Sequence, residues 1–218
     1  AMPFTLRSGL SWCLCAGQAV FLDLPRNRYF CLPEEPDGLF RRWAAGETLA
    51  PDEQALLMGC GVIEAGEDAR PAATCYPAAT QDYALDGARG GSTADVVAAI
   101  TGQFRAQCWL KLRPMADIAA RLAGERVAPP GRAPDDAMQR QVAGAFVTSA
   151  MLLRAADQCL PRAIAARRLC QRHGQEAALV FGVRLNPFAA HSWVQCDDAV
   201  IVGDLEHVRL YTPILVLP

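Results

Sequence analysis

The last 62 residues of the chain carry the pattern that most limits its fold. Helical apolar spacing runs to Arg172, with Asp157 as the expected cap and Pro161 in the first turn, and it ends at His173 and Gly174. Three apolar runs typical of strands follow, at 177–183, 190–196 and 199–204. A helix followed by strands joined through short turns packs on an antiparallel sheet. The pattern therefore predicts an α+β domain.

Cys159 opens this predicted helix, which is a favourable position for an activated thiol. Unpaired amides and the dipole at a helix N-terminus stabilise a thiolate and can donate to a developing oxyanion. A cysteine nucleophile also needs a base, and the base needs a group that orients it. A tight hairpin between the second and third strands would place His191 nearly opposite Asp204. These residues predict a Cys–His–Asp catalytic triad.

Each member of this triad also has a purely structural interpretation. A cysteine near a helix start and a histidine in a strand are often core residues, and an aspartate at a strand end is often a turn residue. The other histidines have simpler explanations, because His173 is a favourable cation in a last helical turn and His207 lies in a polar stretch. Cys170 and Cys196 are interpreted as structural.

Composition argues against several classes of function. The chain has 218 residues, is 52% hydrophobic and carries a formal charge of −2, which is not typical of nucleic-acid-binding or disordered proteins. No apolar run approaches the ~20 residues of a membrane helix, and no secretory signal is visible, so we expect a cytoplasmic protein. The cysteines and histidines lack metal-ligand spacing, and no phosphate-binding loop is visible, so no metal or cofactor is predicted.

The N-terminal part predicts a small separate module. Three apolar runs and two short helices follow one another, in an order similar to that of winged-helix domains. The strands are expected at 10–15, 20–24 and 28–32, and the helices between Pro36 and Gly46 and over Thr48–Met58. We predict a recognition module at 1–66, a linker at 67–92 where no periodicity is visible, and the larger domain at 93–218.

The C-terminal part resembles the leader peptidase of lasso-peptide biosynthesis, the B protein. The resemblance rests on Cys159-Leu160-Pro161-Arg162-Ala163, Gly182-Val183-Arg184, Asn186-Pro187-Phe188, Ala190-His191-Ser192-Trp193-Val194 and residues 200–204. It implies a transglutaminase-like, papain-like cysteine protease domain in which Cys159 is the nucleophile, His191 the base and Asp204 the orienting acid.

One spacing departs from the family pattern. Family members commonly carry this aspartate twelve residues after the histidine, whereas Asp204 follows His191 by thirteen. The difference predicts a one-residue insertion or bulge between 196 and 204. It leaves Asp197 and Asp198 open as weaker alternatives for the acid.

The N-terminal module resembles the precursor-peptide recognition element that is fused to the peptidase in some lasso-peptide clusters. This resemblance rests on Val20-Phe21-Leu22-Asp23-Leu24, Arg28-Tyr29-Phe30 and Trp43 ahead of Gly46. It implies that the leader adds a strand beside 28–32 and packs on the second helix. The implied leader-binding residues are Arg28, Tyr29, Phe30, Cys31, Leu32 and Leu56. The simpler alternative is that the aromatic residues are plain core, which we favour for Phe30 and Trp43.

The two resemblances together imply an enzyme that binds and removes the leader of a lasso-peptide precursor. The freed core N-terminus would pass to an asparagine-synthetase-like cyclase, so the expected partners are the precursor and that cyclase. Two alternatives remain open. One is a leader-binding adaptor without catalysis, and the other is a transamidase, because acyl transfer to an amine uses the same triad.

Overall fold

The computed structural model describes residues 3–67, 70–84, 91–125, 135–153 and 158–218. The helices span Glu34–Ala44 (α1), Pro51–Gly59 (α2), Thr93–Leu112 (α3), Met115–Gly124 (α4), Asp136–Leu152 (α5), Cys159–Arg172 (α6) and Leu205–Val208 (α7). The strands span Phe4–Leu6 (β1), Leu10–Cys15 (β2), Gln18–Asp23 (β3), Arg28–Cys31 (β4), Ile63–Ala65 (β5), Gln81–Asp82 (β6), Ala178–Arg184 (β7), Ala189–Cys196 (β8), Ala199–Val202 (β9) and Thr212–Leu217 (β10).

The C-terminal helix and strands form as the sequence predicts. His173 caps α6, and Gly174 follows in the left-handed region with φ of 70°, which a glycine adopts without strain. β7, β8 and β9 are antiparallel neighbours in a sheet of order β10-β7-β8-β9-β6, in which β6 pairs in parallel with β9. The α+β class is therefore confirmed.

The end of the third strand differs from the prediction. Asp204 was expected to end that strand nearly opposite His191, but β9 ends at Val202. Asp204 instead caps α7, where its side chain accepts a hydrogen bond from the backbone N–H of His207. A short carboxylate at a helix start accepts a hydrogen bond from an unpaired backbone N–H, and this favours Asp204 as a helix cap over the last residue of a strand.

The two faces of the large sheet carry different cores. On one face, α6 packs through Ile164 and Leu169 against Phe181, Val194 and their neighbours. On the other face, a smaller cluster joins strand residues to α7 and the segment after it. Its largest members are Val180, Trp193, Val200, Val208 and Tyr211. Alternation along each strand therefore assigns every side chain of β8 to one face or the other.

The N-terminal part is a three-stranded sheet of order β2-β3-β4 covered by α1. Phe40 of α1 contacts Trp12 edge-on at 4.9 Å between ring centroids and Phe21 at 4.7 Å. Phe30 stacks on Phe21 at 5.1 Å, and Trp43 is buried, which agrees with a core role for both. The three predicted strands and two predicted helices follow one another in the expected order, but β1 and β5, which were not predicted, pair as a separate two-stranded sheet. The likeness to a winged-helix domain stays a prediction.

The N-terminal sheet packs directly against the C-terminal domain. Cys13, Cys15, Val20 and Leu22 share one apolar core with α6 and the large sheet. The Ser11 hydroxyl also donates a hydrogen bond to the carbonyl of Ile214 in β10. The segment interpreted as a linker contributes β6 to the large sheet. The proposed domain boundaries stay a prediction, and the two parts meet across an apolar surface.

A buried carboxylate ties the helices behind the sheet together. Asp95 in the first turn of α3 accepts hydrogen bonds from Gln141 at 2.6 Å and from the Ser92 hydroxyl at 2.7 Å. Its other oxygen lies 2.9 Å from Nε2 of His173, at the end of α6. Burial alone would raise the pKa of Asp95, but the hydrogen bonds from Gln141, Ser92 and His173 outweigh it and lower that pKa.

Replacing Asp95 by asparagine is expected to destabilise the protein by about 1–3 kcal/mol at pH 7, because charged hydrogen bonds at a buried site are lost. A folded-state pKa below the unfolded value means that the carboxylate stabilises the fold above pH ~4 and loses this effect as pH falls through the folded pKa. Urea unfolding at pH 7 and pH 3 measures both effects. The difference in the free energy of unfolding between wild type and Asp95→Asn should be smaller at pH 3 than at pH 7. The control Asp117→Asn, at an exposed site, should have the wild-type free energy of unfolding at both pH values.

Candidate active site

Cys159 is the first residue of α6, and no described residue caps this helix start with its side chain. Gln158 makes no capping hydrogen bond, and the described first turn contains no acidic residue. The first backbone N–H groups of α6 therefore have no side-chain acceptor within the described residues. Asp157, the cap expected from the sequence, lies outside them. This arrangement can stabilise a thiolate or an oxyanion beside the sulfur.

The N-terminal module contributes a wall beside Cys159. Burial, together with the nearby Cys159 charge, raises the pKa of Tyr29 to about 12. The Tyr29 ring lies 5.7 Å from the ring of Phe188, which is exposed on the turn between β7 and β8. Tyr29 of β4 and Phe188 therefore place two aromatic rings near the start of α6.

His191 lies in a cluster of aromatic and imidazole rings. Its ring centroid is 4.8 Å from that of His207, 5.4 Å from Tyr211 and 6.2 Å from Trp193. Burial and then the charge of His207 lower the pKa of His191 to about 4, although the charge of Asp204 opposes them. The imidazole is therefore neutral at pH 7, which is the form that a general base requires.

Asp204 is the candidate acid whose charge acts on His191. No hydrogen bond joins the two side chains in the part of the chain that the structure describes, since the Asp204 carboxylate caps α7. The two alternatives have other positions. Asp198 accepts a hydrogen bond from the Thr80 hydroxyl, and Asp197 lies in the hairpin turn with φ of 49°.

The one-residue bulge expected from the family spacing is present. Gln195 pairs with Val200, but Val194 pairs with Val202, so Ile201 is the extra residue of β9. A bulge bends the strand and increases its twist, which changes the direction of the segment that follows. That segment carries Asp204, which comes close to His191 from the end of β9 rather than from a ladder position.

The start of α6 and the start of β8 lie towards the same end of the sheet. At the far end of α6, the pKa of Cys170 is raised to about 12 by burial and then by nearby Cys196, the last residue of β8. Eleven residues of helix rise roughly 16 Å, and five residues of strand span about the same length. Cys159 therefore lies towards the end of the sheet at which β8 begins.

This position along the sheet does not bring the Cys159 sulfur and the His191 imidazole together. α6 packs on the face that carries Val194, and by alternation Ser192 shares this face. His191 belongs to the opposite face, where it contacts Trp193. No hydrogen bond joins Cys159 to His191 among the described residues. Asp204 thus acts on His191 through its charge alone, and the thiol lies on the other face, so the catalytic triad stays a prediction.

Three neighbours of this site were not recognised from the sequence. The Tyr211 hydroxyl lies 3.2 Å from Nε2 of His207. The two residues are four apart in the sequence, a spacing that could have indicated that they lie on the same side of a helical turn. The hydroxyl of Ser192 is buried without a partner among the described residues. A buried hydroxyl without a partner is costly, and here it faces the helix that begins with Cys159.

Most of the residues implied to bind the leader lie on or just after β4, whereas Leu56 lies on α2. β4 has no strand partner on its outer edge within the described part of the chain. Arg28 places its guanidinium over the ring of Phe30 at 5.2 Å, on the side of the N-terminal core, whereas Tyr29 points towards Cys159. The others are half-buried Cys31, buried Leu32 and exposed Leu56 of α2.

A cysteine at a helix start, followed by a histidine and then an aspartate on or just after the next strands, defines a candidate thiol acyl-transfer site. The family model described as "Transglutaminase-like superfamily" matches residues 101–216, from α3 to β10, and the chain belongs to this superfamily. Neither the curated proteins nor the solved structures compared with the chain gave a match. The domain is consistent with cysteine protease or transamidase activity.

Two further findings concern the described residues only. None of their helices combines the length and the apolar character that a membrane span requires. Their histidine, cysteine and acidic side chains form no group of three or more that would hold a metal ion.

Proposed function

We propose that this protein is a cysteine peptidase that binds the leader of a lasso-peptide precursor and removes it. The observation that carries the proposal is the position of Cys159, which begins a helix of a transglutaminase-like domain and lies beside Tyr29 of the N-terminal module. A leader paired with the outer edge of β4 would run close to this thiol. Binding and cleavage within one chain raise the local concentration of the scissile bond.

In the proposed reaction, the Cys159 thiolate attacks the carbonyl carbon at the end of the leader. The first N–H groups of α6 donate to the oxyanion. His191 accepts the thiol proton and returns it to the leaving amine, while Asp204 orients the imidazole. Water then hydrolyses the thioester, so the leader leaves as a carboxylic acid. The core leaves with a free amino group, which an asparagine-synthetase-like cyclase would join to a side-chain carboxylate.

This reaction requires the imidazole of His191 to reach the face of the sheet that holds Cys159. The proposal therefore includes a rearrangement of the first residues of β8 when substrate binds. The turn before β8 is exposed, as are Phe188 and Ala190, so the contacts that the rearrangement would break are mainly the ring contacts of His191 and its ladder pairing with Gly182. Catalytic contacts that are absent in a free enzyme often form only in the substrate complex.

The separation of sulfur and imidazole favours a second candidate, a leader-binding adaptor without catalysis. An adaptor would use the same N-terminal module and would hold the precursor for a partner enzyme. It would bind the leader as tightly as the peptidase does but would leave the precursor intact.

Incubation with a lasso-peptide precursor and mass spectrometry of the products distinguish these functions. The peptidase yields two fragments whose masses add up to that of the precursor plus one water. A transamidase, given an added primary amine, yields a leader extended by that amine. An unchanged precursor that nevertheless binds the protein, with or without the cyclase, would establish the adaptor and refute the peptidase.

Replacing Leu56 by aspartate is expected to weaken leader binding about tenfold, because an apolar contact on α2 becomes a desolvated charge. Leu56 is 39% exposed, so the fold should tolerate the change. Fluorescence anisotropy of a labelled leader measures the affinity. Met58→Asp is the matched control, since Met58 is 41% exposed and lies on another side of the same helix. Equal losses in both variants would place the leader elsewhere.

A further inference from the structure

The outward face of α3 carries exposed apolar side chains along most of its length. Val97, Thr101, Phe104, Cys108 and Leu112 recur at the spacing of one helical face, and we call them the α3 stripe. Its large members are 54%, 51% and 78% exposed at Val97, Phe104 and Leu112. The opposite side of α3 holds the buried residues that face the core. A helix that is apolar on both sides at the surface of a protein indicates an interaction surface.

A basic pocket adjoins the α3 stripe. The cavity of about 420 Å³ is lined by Phe104, Arg105, Cys108, Trp109, Arg121 and Arg168. The guanidinium of Arg168 lies 4.5 Å from the centre of the Trp109 ring, and that of Arg121 lies 5.8 Å from it. Arg168 is neutralised by Glu125 through hydrogen bonds of 2.5 and 3.1 Å.

Two guanidinium groups of this pocket have no acidic partner in the part of the chain that the structure describes. Arg105 and Arg121 form no ion pair with any residue that the structure describes, unlike Arg7, Arg41 and Arg168, which each pair with a carboxylate. Guanidinium groups bind carboxylates through paired N–H donors in a fixed geometry. The pocket therefore combines aromatic surface with two positive charges that are available to a ligand.

We propose that the α3 stripe and the basic pocket together bind an acidic amphipathic helix of another protein. The apolar side of such a helix would cover Val97, Phe104 and Leu112. Its carboxylates would pair with Arg105 and Arg121 at one edge. Tryptophan and arginine are among the residue types that contribute most to protein–protein affinity, and both line the pocket beside the stripe.

Charge separates this occupant from a second copy of the chain. The exposed charged residues of α3 are Arg105 and Lys111, because Asp95, its acidic residue, is buried in contacts with its own neighbours. Two-fold pairing of α3 with itself would bring like charges together, since each copy presents the same surface. An acidic partner would instead place negative charges against Arg105 and Lys111, so its binding would not meet this repulsion.

A pair of synthetic helical peptides tests the proposal on the full chain. One peptide carries leucine at positions i, i+3, i+4 and i+7 with glutamate on the flanks, and the other has lysine in place of every glutamate. Fluorescence anisotropy should show that the acidic peptide binds at least about tenfold more tightly than the lysine peptide. Equal affinities, or tighter binding of the lysine peptide, would overturn the proposal.

Three variants locate the binding on α3. Phe104→Ser should weaken the acidic peptide about tenfold. The double change Arg105→Glu with Arg121→Glu should reverse the preference in favour of the lysine peptide. Arg172→Glu is the matched control, because this exposed arginine of α6 makes no ion pair within the described residues. The Arg172→Glu variant should keep the wild-type preference for the acidic peptide.

Oligomeric state and crosslinking exclude the other occupants. Light scattering should give the same oligomeric state for the wild type and for Phe104→Ser, because the α3 stripe is not expected to form a dimer. A photocrosslinker attached to Cys108 should capture the acidic peptide rather than a second copy or another part of the same chain. Capture of either of the latter would show that the α3 stripe is already covered and would refute the proposal. Precursor cleavage should be unchanged in all of these variants, so this test is independent of the proposed peptidase activity.

Discussion

Replacing Cys159 by alanine is expected to abolish precursor cleavage, with a loss of roughly 10⁴-fold or more, while leader affinity stays unchanged. Without the sulfur no acyl-enzyme forms, and the other groups of the site cannot attack the peptide bond. Mass spectrometry of a time course measures cleavage, and anisotropy with a labelled leader measures binding.

The matched control for this result is Cys108→Ala, which removes an exposed cysteine far along the chain from the proposed site. It should cleave at the wild-type rate. Thiol labelling alone is less decisive, because Cys75 and Cys108 are exposed and will react early whatever the chemistry of Cys159. Cleavage that survives in Cys159→Ala would remove the nucleophile from the proposal, and an unaffected leader affinity would then point to another thiol or another class of enzyme.

Replacing His191 by alanine is expected to lower kcat/KM about 10³-fold, because a positioned base contributes about 10²–10⁴-fold to proton transfer. Only the neutral imidazole accepts a proton, so activity should fall as pH drops through the His191 pKa of about 4. The acid limb of the kcat/KM profile, which reports the free enzyme, should therefore lie well below the ordinary histidine value.

His207→Gln tests whether that limb belongs to His191. The charge of His207 is, after burial, a cause of the low His191 pKa, so its removal should raise that pKa and move the acid limb to higher pH. His173→Gln is the control, because His173 lies with Asp95 behind the sheet. An acid limb that stays in place in His207→Gln, together with full activity of His191→Ala, would exclude His191 as the base and assign the proton transfer to another group.

The position of Tyr29 links the two parts of the proposed function. The side chain that precedes Phe30 on β4 points out of the N-terminal module, towards Cys159 and Phe188. A strand that binds the leader along its edge would thereby touch the catalytic domain through its own side chains. Cleavage close to the end of the bound leader follows naturally from this arrangement.

Much of the fold was predictable because its signals are local. Pro161 and Gly174 mark the ends of α6, and the turn at Asp197 and Asp198 separates two apolar strands, so these elements formed where expected. The extra residue between Cys196 and Asp204 predicted a bulge, and Ile201 supplies it. β10 and α7 were not predicted, since their short sequences carry little periodicity and form through contacts with β7 and Trp193.

Residue types and spacing were thus enough to identify the α+β class, the helix that begins at Cys159 and the order of cysteine, histidine and aspartate. The direction of His191 was not contained in them. Side chains alternate between the two faces of a strand, and long-range packing decides which of the two sets faces α6. Here Trp193 packs with Val208 and Tyr211 on the face away from α6. His191, two residues earlier in β8, therefore lies on that face as well. The proximity of Tyr29 to the charge of Cys159 likewise depends on the packing of two sheets whose strands are more than a hundred residues apart in the chain.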